Sequence, residues 1–142
     1  MIEDCTTLEQ GRLLIEIGIS PETADKCWIA IENGENPAMY SMSFEQAREN
    51  RMTADKFIID IAKEKVPRAI TPAWSLTALL DLLPAEIENE GINYPFSLKK
   101  VGTEYQACYS RESDILYSIL EDTPVNAVVK ILFLLDDIKR YN

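Results

Sequence analysis

The chain has 142 residues, an apolar fraction of 46%, 14 basic against 24 acidic residues, a net charge of −10 and no histidine. That length suits one domain with a real core, and that apolar fraction argues against wholesale disorder. The charge argues against non-specific binding to nucleic acid or to an anionic membrane, and the missing histidine excludes Ser-His-Asp and Cys-His pairs within the chain.

The charge is uneven. Residues 1–42 carry −6, residues 43–70 carry +1 and residues 71–142 carry −5. Such a surface promotes solubility, and it could also meet a basic partner. Cys5, Cys27 and Cys108 are widely separated, are odd in number and form no CxxC pair, and the start Met1-Ile2-Glu3-Asp4-Cys5 is no secretory leader. This reads as a protein of the reducing cytoplasm. Cys27 and Cys108 read as small buried residues. The longest apolar run, Ile131 to Leu135, is far shorter than the ~20 residues that span a bilayer.

In chain order, Thr6-Thr7-Leu8-Glu9-Gln10 offers a doubled capping box, Thr6 with Glu9 or Thr7 with Gln10, and Gly18 is a helix stop. Ser20-Pro21 predicts a second helix, making a corner of the helix-turn-helix kind. With Glu22, Asp25 and only Lys26 on that second helix, a DNA-reading role is disfavoured. Lys26–Glu32 and Ala38–Met42 predict a hairpin across the turn cluster 33–37. Ser43 opens a helical reading through Phe57, Ile58, Ile61 and Ala62, with Val66–Ile70 as a connector.

Thr71 to Pro84 then predicts a helix with Thr71 as cap, Pro72 in its first turn and Pro84 as its stop. Its apolar residues nearly encircle the axis, so it needs cover on more than one side. Trp74 reads as a core anchor in its first turn. Glu86–Asn93 is polar and ends in a turn at Gly91. Period-two patterning predicts strands over 94–99, 105–110 and 115–120, a three-stranded meander. Pro95 predicts an edge strand or an irregular start. Thr123-Pro124 opens a last helix with a broad apolar face from Val125 to Ile138.

The expected fold is therefore α+β: a single domain over 1–142 with an antiparallel sheet, hairpin plus three-stranded meander, packed by several helices. Its parts would be a helical corner with a hairpin (1–42), a helical connector (43–70) and a helix-meander-helix (71–142).

No Walker-A loop, dinucleotide fingerprint or EF-hand loop is present. Glu86, Glu88 and Glu90, Glu121-Asp122 and Asp136-Asp137 are close in sequence, which suits solvated faces better than a carboxylate site. No catalytic residue, metal ligand or cofactor is expected. The tyrosines of the meander lack the basic interleaving that nucleic acid requires.

Cys5 to Gln10 with Gly18 to Asp25, together with Pro72-Ala73-Trp74-Ser75-Leu76-Thr77-Ala78-Leu79-Leu80-Asp81-Leu82-Leu83-Pro84, the tyrosine-rich hairpin and Thr123-Pro124, resemble a family of small uncharacterised proteins from gut bacteria and their phages or integrated elements. The resemblance implies a mobile-element setting and no mechanism.

The leading reading is a non-enzymatic cytoplasmic interaction module with a protein partner, and candidate contact residues Trp74, Leu76, Leu79, Leu80, Leu83, Tyr105 and Tyr109. The apolar helices at 72–83 and 125–138 are compatible with a homodimer. If both are covered within the monomer, an interface must use other surface. The alternatives are an acidic inhibitor or nucleic-acid mimic that binds a basic protein, and a carboxylate-dependent enzyme.

Overall fold

In a computed structural model, residues 5–31, 38–40 and 67–141 are described. The chain folds as α+β, as the patterning predicts, with antiparallel pairing in both sheets among the described residues. It divides into two compact units, residues 1–78 and 79–142. The expected helices over 43–62 lie outside the described residues.

In the first unit, Thr7 caps helix α1 (Leu8–Glu16). Its hydroxyl accepts from Gln10 N at 3.1 Å and Gln10 Oε1 accepts from Thr7 N at 2.9 Å, the second of the two capping boxes offered by the sequence. The helix ends as Gly18 predicts. Gly18 has φ +99° and its N–H donates to Ile15 O, while Ile19 N donates to Leu14 O. These are the two bonds of a Schellman ending, and only glycine adopts that φ without cost.

The expected second helix is a single 3₁₀ turn, Pro21–Thr23, capped by Ser20. It stops because Lys26–Ile31 is already strand β1. β2 (Ala38–Tyr40) pairs antiparallel with β1, Trp28 facing Met39, as the hairpin reading predicts.

Two expectations for 66–84 are corrected. Pro67–Ala73 is strand β3, neither connector nor helix start, and it pairs antiparallel with β1, Trp28 opposite Thr71. Among the described residues the sheet order is β2-β1-β3, so Pro67 and Pro72 sit on an edge strand, where a missing N–H is tolerated. The helix α2 spans only Leu76–Leu82. Its cap is Ser75, whose hydroxyl accepts from Ala78 N at 3.2 Å. Trp74 precedes the helix and does not lie in its first turn.

α1 packs along β3. Gly11 permits the approach: a Cβ there would lie 2.4 Å from Pro72 O.

The second unit holds a four-stranded antiparallel sheet in order β4-β5-β6-β7. Its strands are β4 (Glu86–Asn89), β5 (Ile92–Val101), β6 (Glu104–Arg111) and β7 (Asp114–Glu121). The meander thus has one more strand than its alternation suggests, because Glu86–Asn89 pairs with the start of β5 through a Glu90-Gly91 turn in which both residues have positive φ.

β5 is consequently an inner strand, and the edge placement expected from Pro95 is corrected. Phe96 N donates to Ala85 O at 2.9 Å, so even-numbered residues of β5 bond toward β4 and odd-numbered ones toward β6. Pro95 would bond toward β6, but that ladder begins at Phe96–Tyr109. The missing N–H falls just outside it.

α3 (Pro124–Tyr141) packs on β6 and β7. Its cap is Thr123, whose hydroxyl accepts from Asn126 N at 3.1 Å. Val125, Ala127, Val128, Val129, Ile131 and Leu132 are buried.

Candidate functional site

Two places gather side-chain chemistry, one in each unit. The first surrounds Thr6, which is fully buried. Thr6 N donates to Trp74 O at 2.9 Å, and Trp74 N donates to Thr6 Oγ1 at 3.0 Å. Trp28 Nε1 donates to Thr6 O at 3.0 Å, and Trp74 Nε1 donates to Thr23 Oγ1 at 2.9 Å. The Trp74 indole is fully buried and the Trp28 side chain half-buried, and each satisfies its polar edge.

Beside them, Asp25 accepts from Ser75 N at 2.8 Å and also from the Ser75 hydroxyl. Ser75 in turn accepts from Ala78 N, so Asp25 braces the cap of α2. Each polar group in this cluster is matched to a partner and the cluster ties the start of the chain to β1 and β3. Its chemistry is that of a structural staple.

Cys27 lies beside this cluster on β1 and is fully buried. Burial pushes its thiol up from 9.0 to about 11, which keeps it protonated and unreactive at neutral pH. That fits the reading of Cys27 as a small buried residue. Cys5 and Cys108 are buried as well.

The second place is the four-stranded sheet. One face carries the buried Tyr94, Ala107 and Tyr109 with the half-buried Phe96, Leu98, Tyr105, Tyr117 and Ile119. Phe96 and Tyr109 meet with ring centroids 5.2 Å apart, and Tyr109 donates to Pro84 O at 2.7 Å. Burial pushes the Tyr109 phenol up to about 12.

The other face is polar at its centre. Ser97, Cys108 and Ser118 stand abreast across β5, β6 and β7. Gln106 Nε2 donates to Ser118 Oγ at 2.8 Å.

Among the described residues β7 forms the sheet's edge, and it is irregular. The pairing shifts between Tyr109 and Ser110, so that Tyr109 faces Tyr117 but Ser110 faces Ile115. Leu116 is the extra residue of a bulge. The bulge returns Ile115 to the same face as Ser118 and Leu120. Ile115 is 55% exposed and Leu120 46%, and both stand on the solvent side of the edge strand.

Of the candidate contact residues, Trp74, Leu79, Leu83 and Tyr109 are buried, and Leu76, Leu80 and Tyr105 are half-buried. The core reading of Trp74 is the one its burial supports. Ile115 and Leu120 were absent from that candidate set. In the sequence they have opposite parity along a strand, so only the bulge brings them to one face.

Among the described residues there is no group of three or more His, Cys, Asp or Glu side chains able to hold a metal ion, and no helix long and apolar enough to cross a membrane. No protein-family model, no curated protein and no solved structure matches this chain.

Proposed function

We propose that this chain is a non-enzymatic protein-interaction module that presents the β7 edge of its four-stranded sheet to a protein partner. The observation that supports this reading is the edge itself. β7 is eight residues long, and among the described residues no strand pairs with its outer side. It carries two exposed large apolar side chains, Ile115 and Leu120, on one face. Edges of this kind are templates for another strand unless they are blunted, and the bulge at Leu116 falls in the first half of β7 and leaves Tyr117–Glu121 in regular register with β6. The buried apolar face of α3 points the same way, because it leaves a contact surface to be found elsewhere. The motif resemblance adds a mobile-element setting to this reading, and the odd number of widely separated cysteines suits a reducing cytoplasm.

The test is a tagged pull-down from a lysate of the source cells, with and without nuclease, comparing the native chain with an Ile115→Ser, Leu120→Ser double variant. A protein retained by the native chain after nuclease and lost from the variant is the expected result. Retention by both would remove β7 as the contact surface. Recovery of no protein by the native chain would defeat the reading itself.

A further inference from the structure

We propose that the partner of β7 is an extended, basic polypeptide segment that adds as an antiparallel fifth strand, its backbone bonding to Ser118 and Leu120 and its cationic side chains lying against the acidic ends of the strand. This rests on the interaction reading above and names the chemistry of its occupant.

The register of the sheet sets the hydrogen bonds on offer. Odd-numbered residues of β5 bond toward β6, so Ser97–Cys108 and Lys99–Gln106 are bonded pairs. Even-numbered residues of β6 are thereby used toward β5, and its odd-numbered ones bond toward β7. Ala107–Ile119 and Tyr105–Glu121 are therefore the bonded pairs of the last ladder. Ser118 and Leu120 consequently direct their backbone N–H and C=O groups away from β6. An incoming strand finds two residues' worth of free backbone, spaced as an antiparallel partner requires.

The side chains choose the occupant. Between residues 112 and 122 the chain carries Glu112, Asp114, Glu121 and Asp122 and no Lys or Arg. Glu112, Asp114 and Asp122 are exposed. Among the described residues, Asp114 stands opposite Arg111 in the ladder and accepts from the Tyr94 hydroxyl at 2.8 Å, and Lys130 lies 2.8 Å from Glu121. Natural edges are often guarded by lysine; this one is acidic at both ends and apolar between.

The same distribution disfavours a second copy. Two β7 strands paired antiparallel about Ser118 set Asp114 against Asp122 and Ile115 against Glu121 at both ends, and paired about Ile119 they join Ser118 to Leu120 but bring together two segments that each carry four acids between residues 112 and 122 and no Lys or Arg. Like charges directly opposite are destabilising. A segment with lysine or arginine near its two ends and β-branched residues between them meets Ile115 and Leu120 with apolar groups and the flanking acids with opposite charge.

The test uses the full chain and synthetic peptides of alternating valine and threonine. One has lysines at both ends, one has glutamates there, and one has lysines with backbone N-methylation at every valine and threonine, which blocks both edges of the strand. Binding is read by fluorescence anisotropy, and amide exchange of the full chain by NMR. The lysine peptide should bind, should slow exchange at Ser118 and Leu120 by about tenfold or more, and should weaken as salt is raised. The glutamate and N-methylated peptides should bind at least about tenfold more weakly.

Ser118→Pro removes one outward N–H and should abolish binding. Leu120→Lys, on an exposed side chain, should weaken binding of the lysine peptide even if the proline variant is poorly folded. Equal binding of lysine and glutamate peptides would overturn the proposal. Binding without slowed exchange at Ser118 and Leu120 would do the same. So would slowed exchange in the free chain that grows with its own concentration, which is the signature of a second copy. If the lysine peptide fails to bind while the lysate partner still depends on Ile115 and Leu120, the basic strand is wrong and the interaction reading stands. If both fail, both are wrong.

Discussion

Thr6 and Trp74 are hydrogen-bonded in both directions: the Thr6 amide donates to the Trp74 carbonyl, and the Trp74 amide donates to the Thr6 hydroxyl. The Thr6 carbonyl also takes the Trp28 indole. A fully buried hydroxyl therefore serves as the acceptor for an otherwise unpaired backbone amide. Removing it while keeping the shape should leave that amide unsatisfied, at a cost of about 1–3 kcal/mol. Thr6→Val should lose that much stability in urea unfolding, and Thr6→Ser should retain most of it. Equal stability of Thr6→Val and the native chain would mean that the amide finds another partner.

Gly11 sets a second prediction, one in which two rules conflict. Glycine inside a helix is less favourable than alanine by about 1 kcal/mol, so Gly11→Ala should stabilise α1 on propensity alone. The added methyl would sit 2.4 Å from the Pro72 carbonyl oxygen, which is backbone and cannot turn aside. Overpacking of this kind costs about 1–3 kcal/mol. The clash should win, and Gly11→Ala should lower the urea midpoint with an unchanged slope. A raised midpoint would show that α1 shifts off β3 at little cost.

What the sequence made legible was local. The Thr7–Gln10 capping box, the Gly18 stop, the Ser20 and Thr123 caps and the alternation of β5, β6 and β7 all rest on residues within a few positions of one another. The misread stretch was Thr71–Pro84, where Thr71-Pro72 has the form of a helix start. Pairing of β3 with β1, some 45 residues earlier, overrides that local signal. The actual cap, Ser75, depends on Asp25, which is 50 residues away in sequence. β4 was missed because three of its four residues are polar and only Ile87 marks an apolar face. The shared face of Ile115 and Leu120 depends on a bulge, and nothing in the order of residues announces one.

Alkaline pH should separate the buried thiol from the rest of the chain. Cys27 has its folded value raised from 9.0 to about 11 by burial. A raised folded value means that the unfolded chain gives up its proton first. The stabilising contribution is thus complete below about pH 9 and is lost as pH climbs toward 11. Tyr109, pushed up to about 12 by burial, and Tyr94, raised first by its hydrogen bond to Asp114 and then by burial, act in the same direction at higher pH. The native chain should therefore lose more melting temperature between pH 8 and pH 10.5 than Cys27→Ala does. Identical losses in the two proteins would show that the thiol ionises in the fold without penalty.

The ladder parity of β7 gives the last prediction, and it needs no partner. Ile119 bonds inward to Ala107, whereas Ser118 turns its N–H outward. Proline at the two positions should therefore have unequal effects. Ile119→Pro removes a ladder bond and a half-buried side chain, and should cost about 3 kcal/mol or more. Ser118→Pro removes an N–H that faces away from β6. It also gives up the hydroxyl that accepts from Gln106, an exposed contact worth about 1 kcal/mol. The urea midpoint should fall much further for Ile119→Pro than for Ser118→Pro. The opposite order would place the outward groups on the odd-numbered residues. The edge available to a partner strand would then be offered by the backbone of Tyr117 and Ile119, whose half-buried side chains share a face with Ala107 and Tyr109.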